Sequence, residues 1–317
     1  MQPLPLLVGL IALSFVSVFV GVSRLTPADL FHLTPVQLQI LYISRLPRLF
    51  SILVSGSALA VAGTIMQQLA RNRFVSPTTA GTLDAARLGV LVSLIIFPGA
   101  GLLQKLGIAL VFALAGTFAF IAMLRRIPYK NTIFVPLVGL MFGNVVGAAA
   151  TFVAYRYDLV QSLAAWLYGD FSMILAGRYE TLYLSVPLMI IAYAYARRFT
   201  VAGMGREFAV NLGIDYNRVM NVGLAIVASV SAIVIITVGS LPFLGLIVPN
   251  VVALYRGDDL RRNLLPVALL GALLVLVCDL LGRILIFPYE IPVGLIMGVL
   301  GSGIFLYMLL RRASHGS

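Results

Sequence analysis

Residues 264–287 read LLPVALLGALLVLVCDLLGRILIF, an apolar run broken by one acid, Asp279, and one base, Arg283. The run exceeds the about 20 residues that carry an α-helix across a bilayer core. At that depth every backbone donor and acceptor has to be satisfied within the segment, which selects a helix. Nine further apolar runs accompany it, at about 4–22, 50–69, 86–99, 107–124, 133–154, 182–196, 217–238, 241–254 and 292–310. The chain therefore reads as an all-α polytopic membrane protein, one domain over 1–317 with about ten transmembrane helices. The runs at 86–99, 182–196 and 241–254 are short for a full crossing and are expected to be tilted, broken or partly re-entrant.

Composition agrees with that reading. Hydrophobic residues make up 61% of the chain and charged residues 10%, with a mean hydropathy of +1.05. A soluble domain carries roughly 25% charged residues, so most of this surface faces lipid. The first run, 4–22, has no basic leader and no small-x-small cleavage pattern, and is expected to be a retained span.

Several function classes drop out. The net charge of +11 is spread singly and in pairs between apolar runs, without the aromatic-interleaved basic stretch of a nucleic-acid binder. Membrane topology accounts for it. With ten spans, the side bearing both termini takes fifteen of the 22 basic residues, Arg87 among them. The positive-inside rule makes that side, and both termini, cytoplasmic. Cys278, the single cysteine, excludes a disulfide framework. His32 and His315 have no carboxylate or cysteine at ligand spacing. No phosphate loop and no nucleophile–base constellation is present, so the chain is expected to be no enzyme and to bind no cofactor of its own.

Polar segments near a membrane are costly and tend to be functional. Arg45-Leu46-Pro47-Arg48 opens the second span, either presenting fixed positive charge to the periplasm or snorkelling to the interface. Asn72-Arg73-Phe74 follows where that span returns to the cytoplasm. In the longest cytoplasmic loop, near 199–216, Phe208, Ala209 and Leu212 fall on one face of a short helix that Gly213 stops. Such a helix is either a lipid-surface helix or a docking helix for a cytoplasmic partner. Asp279 and Arg283, four residues apart, form an intramembrane ion pair on one helix face. Gly139, Gly143 and Gly147, and Gly294 and Gly298, mark close helix packing, more within the subunit than at a dedicated dimer face.

Taken in order, these segments resemble the FecCD-type permeases of ATP-binding-cassette importers for ferric siderophores, haem and cobalamin. The likeness spans nearly the whole chain. It rests on the R-x-P-R start at Arg45, on Gly63, Gln67, Asn72 and Pro77, and on the M-G-x-x-x-A-x-x-L-G loop from Met204. It continues in G-L-I-x-P at Gly245, the D-x-x-x-R pair at Asp279, and E-x-P-x-G at Glu290. Departures lie at Pro249-Asn250, where relatives have P-H, at Gly301-Ser302-Gly303, and at Asn72-Arg73-Phe74-Val75. The combination of R-N-R-F-V-S-P-T-T-A-G, P-N and Y-R-G-D-D-L is similar to the catecholate branch, with petrobactin, vibriobactin and anguibactin systems.

The resemblance implies a type II importer fold and a pairing with a second homologous permease, here a heterodimer. It implies two cytoplasmic ATPase subunits, which carry ATP and Mg, and a periplasmic siderophore-binding protein. Arg45, Arg48 and Arg283 would accept glutamates of that binding protein. Met204, Gly205, Arg206, Glu207, Phe208, Ala209, Leu212 and Gly213 would couple to the ATPase. Asn72, Phe74, Asn131 and Thr132 would form the cytoplasmic gate. The competing expectations are haem or cobalamin as substrate, or a transporter driven by an ion gradient. The latter needs intramembrane carboxylates, and Asp279 is the one candidate well inside a span.

Overall fold

The computed structural model describes residues 2–21, 25–31, 33–126, 134–165 and 168–314. Asn131, Thr132, His32 and His315 lie outside the described residues. Among the described residues ten helices of thirteen residues or more follow one another, and no strand occurs. They are α1 (Pro3–Phe19), α2 (Leu46–Ala70), α3 (Thr82–Ile96), α4 (Leu102–Arg126) and α5 (Phe134–Arg156). The second half holds α6 (Ser185–Met204), α7 (Tyr216–Thr237), α8 (Leu244–Arg256), α9 (Leu260–Ile284) and α10 (Val293–Ser314). Each apolar run falls on one of them. Five segments are long and apolar enough to cross a membrane: Pro35–Ala70, Leu102–Leu124, Leu137–Arg156, Tyr216–Thr237 and Leu260–Ile284. Shorter apolar helices cover Pro3–Phe19, Leu244–Arg256 and Val293–Met308.

The short runs have separate explanations. α6 is twenty residues long, and its end past Arg197 and Arg198 was hidden from a hydropathy reading by those two charges. α8 is thirteen residues and starts abruptly after Phe243, whose φ is +62°. α3 begins inside the bundle. After α2 the chain turns back along α5, with the Thr79 carbonyl against Gly139 and the Asp84 carboxylate against Gly143. Irregular backbone at this depth is tolerated because it is packed on protein.

α2 is the hub, packed against α6, α7, α8 and α9 and buried along most of its length. Its small residues make that possible, since lipid supplies no hydrophobic drive between helices and close packing has to. A Cβ at Gly56 would stand 2.8 Å from the Gly271 carbonyl of α9, and one at Gly63 would overlap Gly245 of α8. The glycines singled out by spacing divide. Gly139, Gly143 and Gly294 pack inside the chain, whereas a Cβ at Gly147 or Gly298 would meet nothing within 4 Å.

The helices run end to end, so the bundle has two functional ends. The starts of α2 and α10 and the finishes of α1 and α9 share one, the Arg48 end. Both termini of the described chain and residues 71–75 share the other, the Asn72 end.

Candidate functional site

At the Arg48 end, four charges interlock. Arg48 donates from Nε (3.1 Å) and Nη2 (2.8 Å) to Asp279 Oδ1, and from Nη1 to Glu290 Oε2 at 2.7 Å. Arg283 pairs with the other oxygen of Asp279 and donates to the Ser17 and Val20 carbonyls at 2.9 and 3.0 Å. Arg45 also donates to the Val20 carbonyl. Asp279 is wholly buried, and one carboxylate thus ties α2 to the end of α9. The two arginine contacts at Val20 add the end of α1. A carboxylate shared by two guanidinium forks in this setting is charge-assisted on every bond.

Arg45 and Arg48, read as outward charge or snorkelling, are folded together with Arg283 into this cluster, and Arg283 pairs with Asp279 as their spacing predicts. Arg45, Arg48 and Arg283 are 8%, 8% and 3% exposed. Burial of an arginine is tolerable only with partners, and Asp279, Glu290 and the frayed end of α1 supply them. Sequence reading had Glu290 as part of a motif but not as a partner of Arg48. The two are 242 positions apart, and no local spacing signals that.

The Asn72 end is held by lighter bonds. Arg71 ends α2 in the left-handed conformation, φ +50°, which swings the chain out of the helix. Asn72 is 7% exposed, and its side-chain oxygen accepts from the Phe74 amide at 2.8 Å. Phe74 stacks edge-on against Phe305 of α10, at 5.9 Å between centroids. Asn250 of α8 straps the turn by donating to the Arg73 carbonyl at 2.7 Å. Gln67 reaches the Gly245 and Leu246 carbonyls only at 3.5 and 3.4 Å. Arg73 pairs with Asp258, both largely exposed. Asn250 was visible in the sequence only as a departure from P-H; its amide donates both to the Arg73 carbonyl of the turn and to the Leu246 carbonyl of its own helix.

Beside that turn the chain passes from α6 through Gly205, φ +125°, into the short helix Arg206–Asn211. Only glycine adopts that backbone readily. Ala209 is buried against the body, while Met204, Phe208 and Leu212 are 58%, 49% and 57% exposed. The expected shared face of Phe208, Ala209 and Leu212 is therefore corrected. Met204 at the end of α6, and Phe208, Val210 and Leu212 on the short helix and its end, are exposed, and Ala209 alone turns inward. Arg206 and Glu207 are exposed beside it. Gly213, φ +72°, closes the helix, and Asp215 caps α7 by accepting from the Arg218 amide at 3.0 Å.

A further ion pair that the sequence reading missed lies at the start of α3. Arg87, counted with the cytoplasmic loops, instead lies in the first turns of α3 and donates to Asp84 at 3.1 Å. Asp279 is thus not the one carboxylate inside a span. The i, i+3 spacing of Asp84 and Arg87 was the available signal. Among the described residues no three side chains of metal-ligating type gather.

The sequence profile described as the FecCD transport family matches residues 9–311. The chain is similar to the petrobactin import system permease protein YclN of Bacillus subtilis, 58% identical over 98% of each chain. It is also similar to the ferric-anguibactin transport system permease protein FatD of Vibrio anguillarum. That relative is 45% identical over 85% of this chain and 86% of its own. In fold it resembles a solved metal-chelate type ABC transporter chain in an inward-facing conformation. The TM-score is 0.83 at 21% identity, over 98% of both chains.

Proposed function

The chain belongs to the FecCD transport family, and from that premise we propose that it imports a ferric siderophore of catecholate type across the bacterial cytoplasmic membrane. It is a permease subunit of an ABC importer, a multi-pass membrane protein and not an enzyme, with ATP hydrolysed on a separate subunit. The observation that carries the substrate class is the 58% identity to a petrobactin permease over almost the full length of both chains.

The geometry supports a division of tasks. The Asn72 end, with both termini, faces the cytoplasm. There Met204, Phe208 and Leu212 offer an exposed apolar surface to the ATPase subunit, and Gly205 lets that surface hinge on α6. Asn72 and Phe74, in the turn that follows α2, are the described residues of the cytoplasmic gate. A second homologous permease faces this one across the path, and a heterodimer fits the catecholate branch. At the Arg48 end a periplasmic binding protein delivers the complex. Docking on Arg45, Arg48 and Arg283 proceeds by exchange. Glu290 is the cluster's more accessible acid, 25% exposed against 0% for Asp279. A partner glutamate displaces it from Arg48.

Uptake of radioactive iron by cells lacking only this gene tests the reading across catecholate, hydroxamate, citrate, haem and cobalamin ligands. Loss confined to ferric catecholates, restored by the intact gene, is expected. Loss of cobalamin alone would keep the family and overturn the substrate.

A further inference from the structure

Arg87 and Asp84 are charges at membrane depth that the docking, gating and coupling roles leave unused. Gly143, against the Asp84 carboxylate, lies inside the span Leu137–Arg156, about 9 Å of helix rise from its start. α3 and α5 run side by side, with Leu91 packed on Ala150 and Ala154. The same register sets Arg87 at the height of Gly147, where an added Cβ would meet nothing within 4 Å. Asp84 closes the space at Gly143, where an added Cβ would stand 2.8 Å from its Oδ2, and the surface of α5 opens one turn on, at Gly147. The pair's side chains are 14% (Arg87) and 22% (Asp84) exposed.

An arginine at this depth that opened onto hydrocarbon would be costly; such residues face a wet cavity or the interior of the assembly. The open edge thus marks a polar route and not a lipid face. Arg87 is also incompletely used. Nη1 donates to Asp84, and its buried Nε has no hydrogen-bond partner among the described residues. A guanidinium carries five donors in a planar fork suited to paired oxygens. Contrast Arg48, which spends three donors on two acids.

We propose that Arg87, held by Asp84, is a binding station for the anionic ferric complex within the span, and so selects for negative charge. The proposal rests on the import function above and deepens it. Iron(III) bound by catechol and carboxylate oxygens carries net negative charge, because its donors bring more charge than the metal cancels. Charge-assisted bonds to such oxygens match the unused donors of the fork. Asp84 keeps the arginine neutralised when the route is empty and competes for it when the complex is present. Passage requires binding weak enough to leave, and the competing carboxylate supplies that.

The test measures radioactive ferric petrobactin uptake in cells deleted for the gene and complemented with wild type, R87A, R87K, D84N or the swapped pair D84R/R87D. Membrane abundance of each is read by immunoblot. We expect R87A to lose at least tenfold in uptake at normal abundance, R87K to keep most of it, and D84N to accumulate the complex without releasing it efficiently. The swap restores an ion pair but moves the positive charge, and its uptake stays lost. Recovery in the swap, or unchanged uptake in R87A, would overturn the station and leave the import reading standing. Should R87A fail to accumulate, R87K and the swap decide alone. If wild type restores no ferric petrobactin uptake, the import reading itself falls, and the station with it.

Discussion

The two ends of the bundle are built from the same residue types and held by different physics. At the Arg48 end, Asp279 and Glu290 are buried or half-buried and bind Arg48 through three charge-assisted bonds. At the Asn72 end, the ion pair of Arg73 with Asp258 stands in the open, and the turn is tied by the neutral hydrogen bonds of Asn72 and Asn250 and by the Phe74–Phe305 ring contact. Exposed pairs contribute at most about 1 kcal/mol, whereas removing one member of a buried pair costs about 3–5 kcal/mol. The lesson is that the chain fixes one end and leaves the other light enough to rearrange.

The sharpest way to break the comparison is D279A. It removes the carboxylate that two buried guanidinium groups share, and the purified protein is expected to lose about 3–5 kcal/mol of stability, seen as a large drop in thermal midpoint and in membrane abundance. A small drop would mean the cluster is not the clamp. Next comes G63A, which forces α2 away from α8. Overpacking of this kind costs about 1–3 kcal/mol, and a crosslinking distance between the two helices should lengthen. N250A removes the strap on the Arg73 carbonyl. Its cost is about 1 kcal/mol, with a larger fractional effect on import than on melting. F208A/L212A should shift stability by no more than about 0.5 kcal/mol, as surface changes do, while abolishing co-purification of the ATPase subunit. D258A is comparably small, at roughly 0–1 kcal/mol. If D258A matched D279A, the two ends would be equally firm and the comparison would fail.

Much of this was legible before any coordinates. Most of the helices among the described residues follow from hydropathy, because in a membrane length and apolarity decide the element. What hydropathy placed badly were segments where charge and apolarity mix. Arg197 and Arg198 truncated α6, and Asp84 and Arg87 pushed the start of α3 into a loop. The Asp279–Arg283 pair was legible because helix geometry brings i and i+4 together. The contacts of Arg48 with Asp279 and Glu290, and of Asn250 with Arg73, join distant parts of the chain, and no local pattern carries them. The inward turn of Ala209 depended on how the short helix leans on the body, which its own six residues do not specify.

The measurement closest to the central claim is ferric petrobactin import into vesicles holding the assembled importer, with ATP supplied or withheld and the proton gradient intact or dissipated. An ATP-driven permease predicts uptake that requires hydrolysable ATP and is unchanged when the gradient collapses. Uptake that survives without ATP and vanishes with the gradient would contradict the account, and would turn Asp84 and Asp279 into the proton-bearing groups of a different kind of transporter.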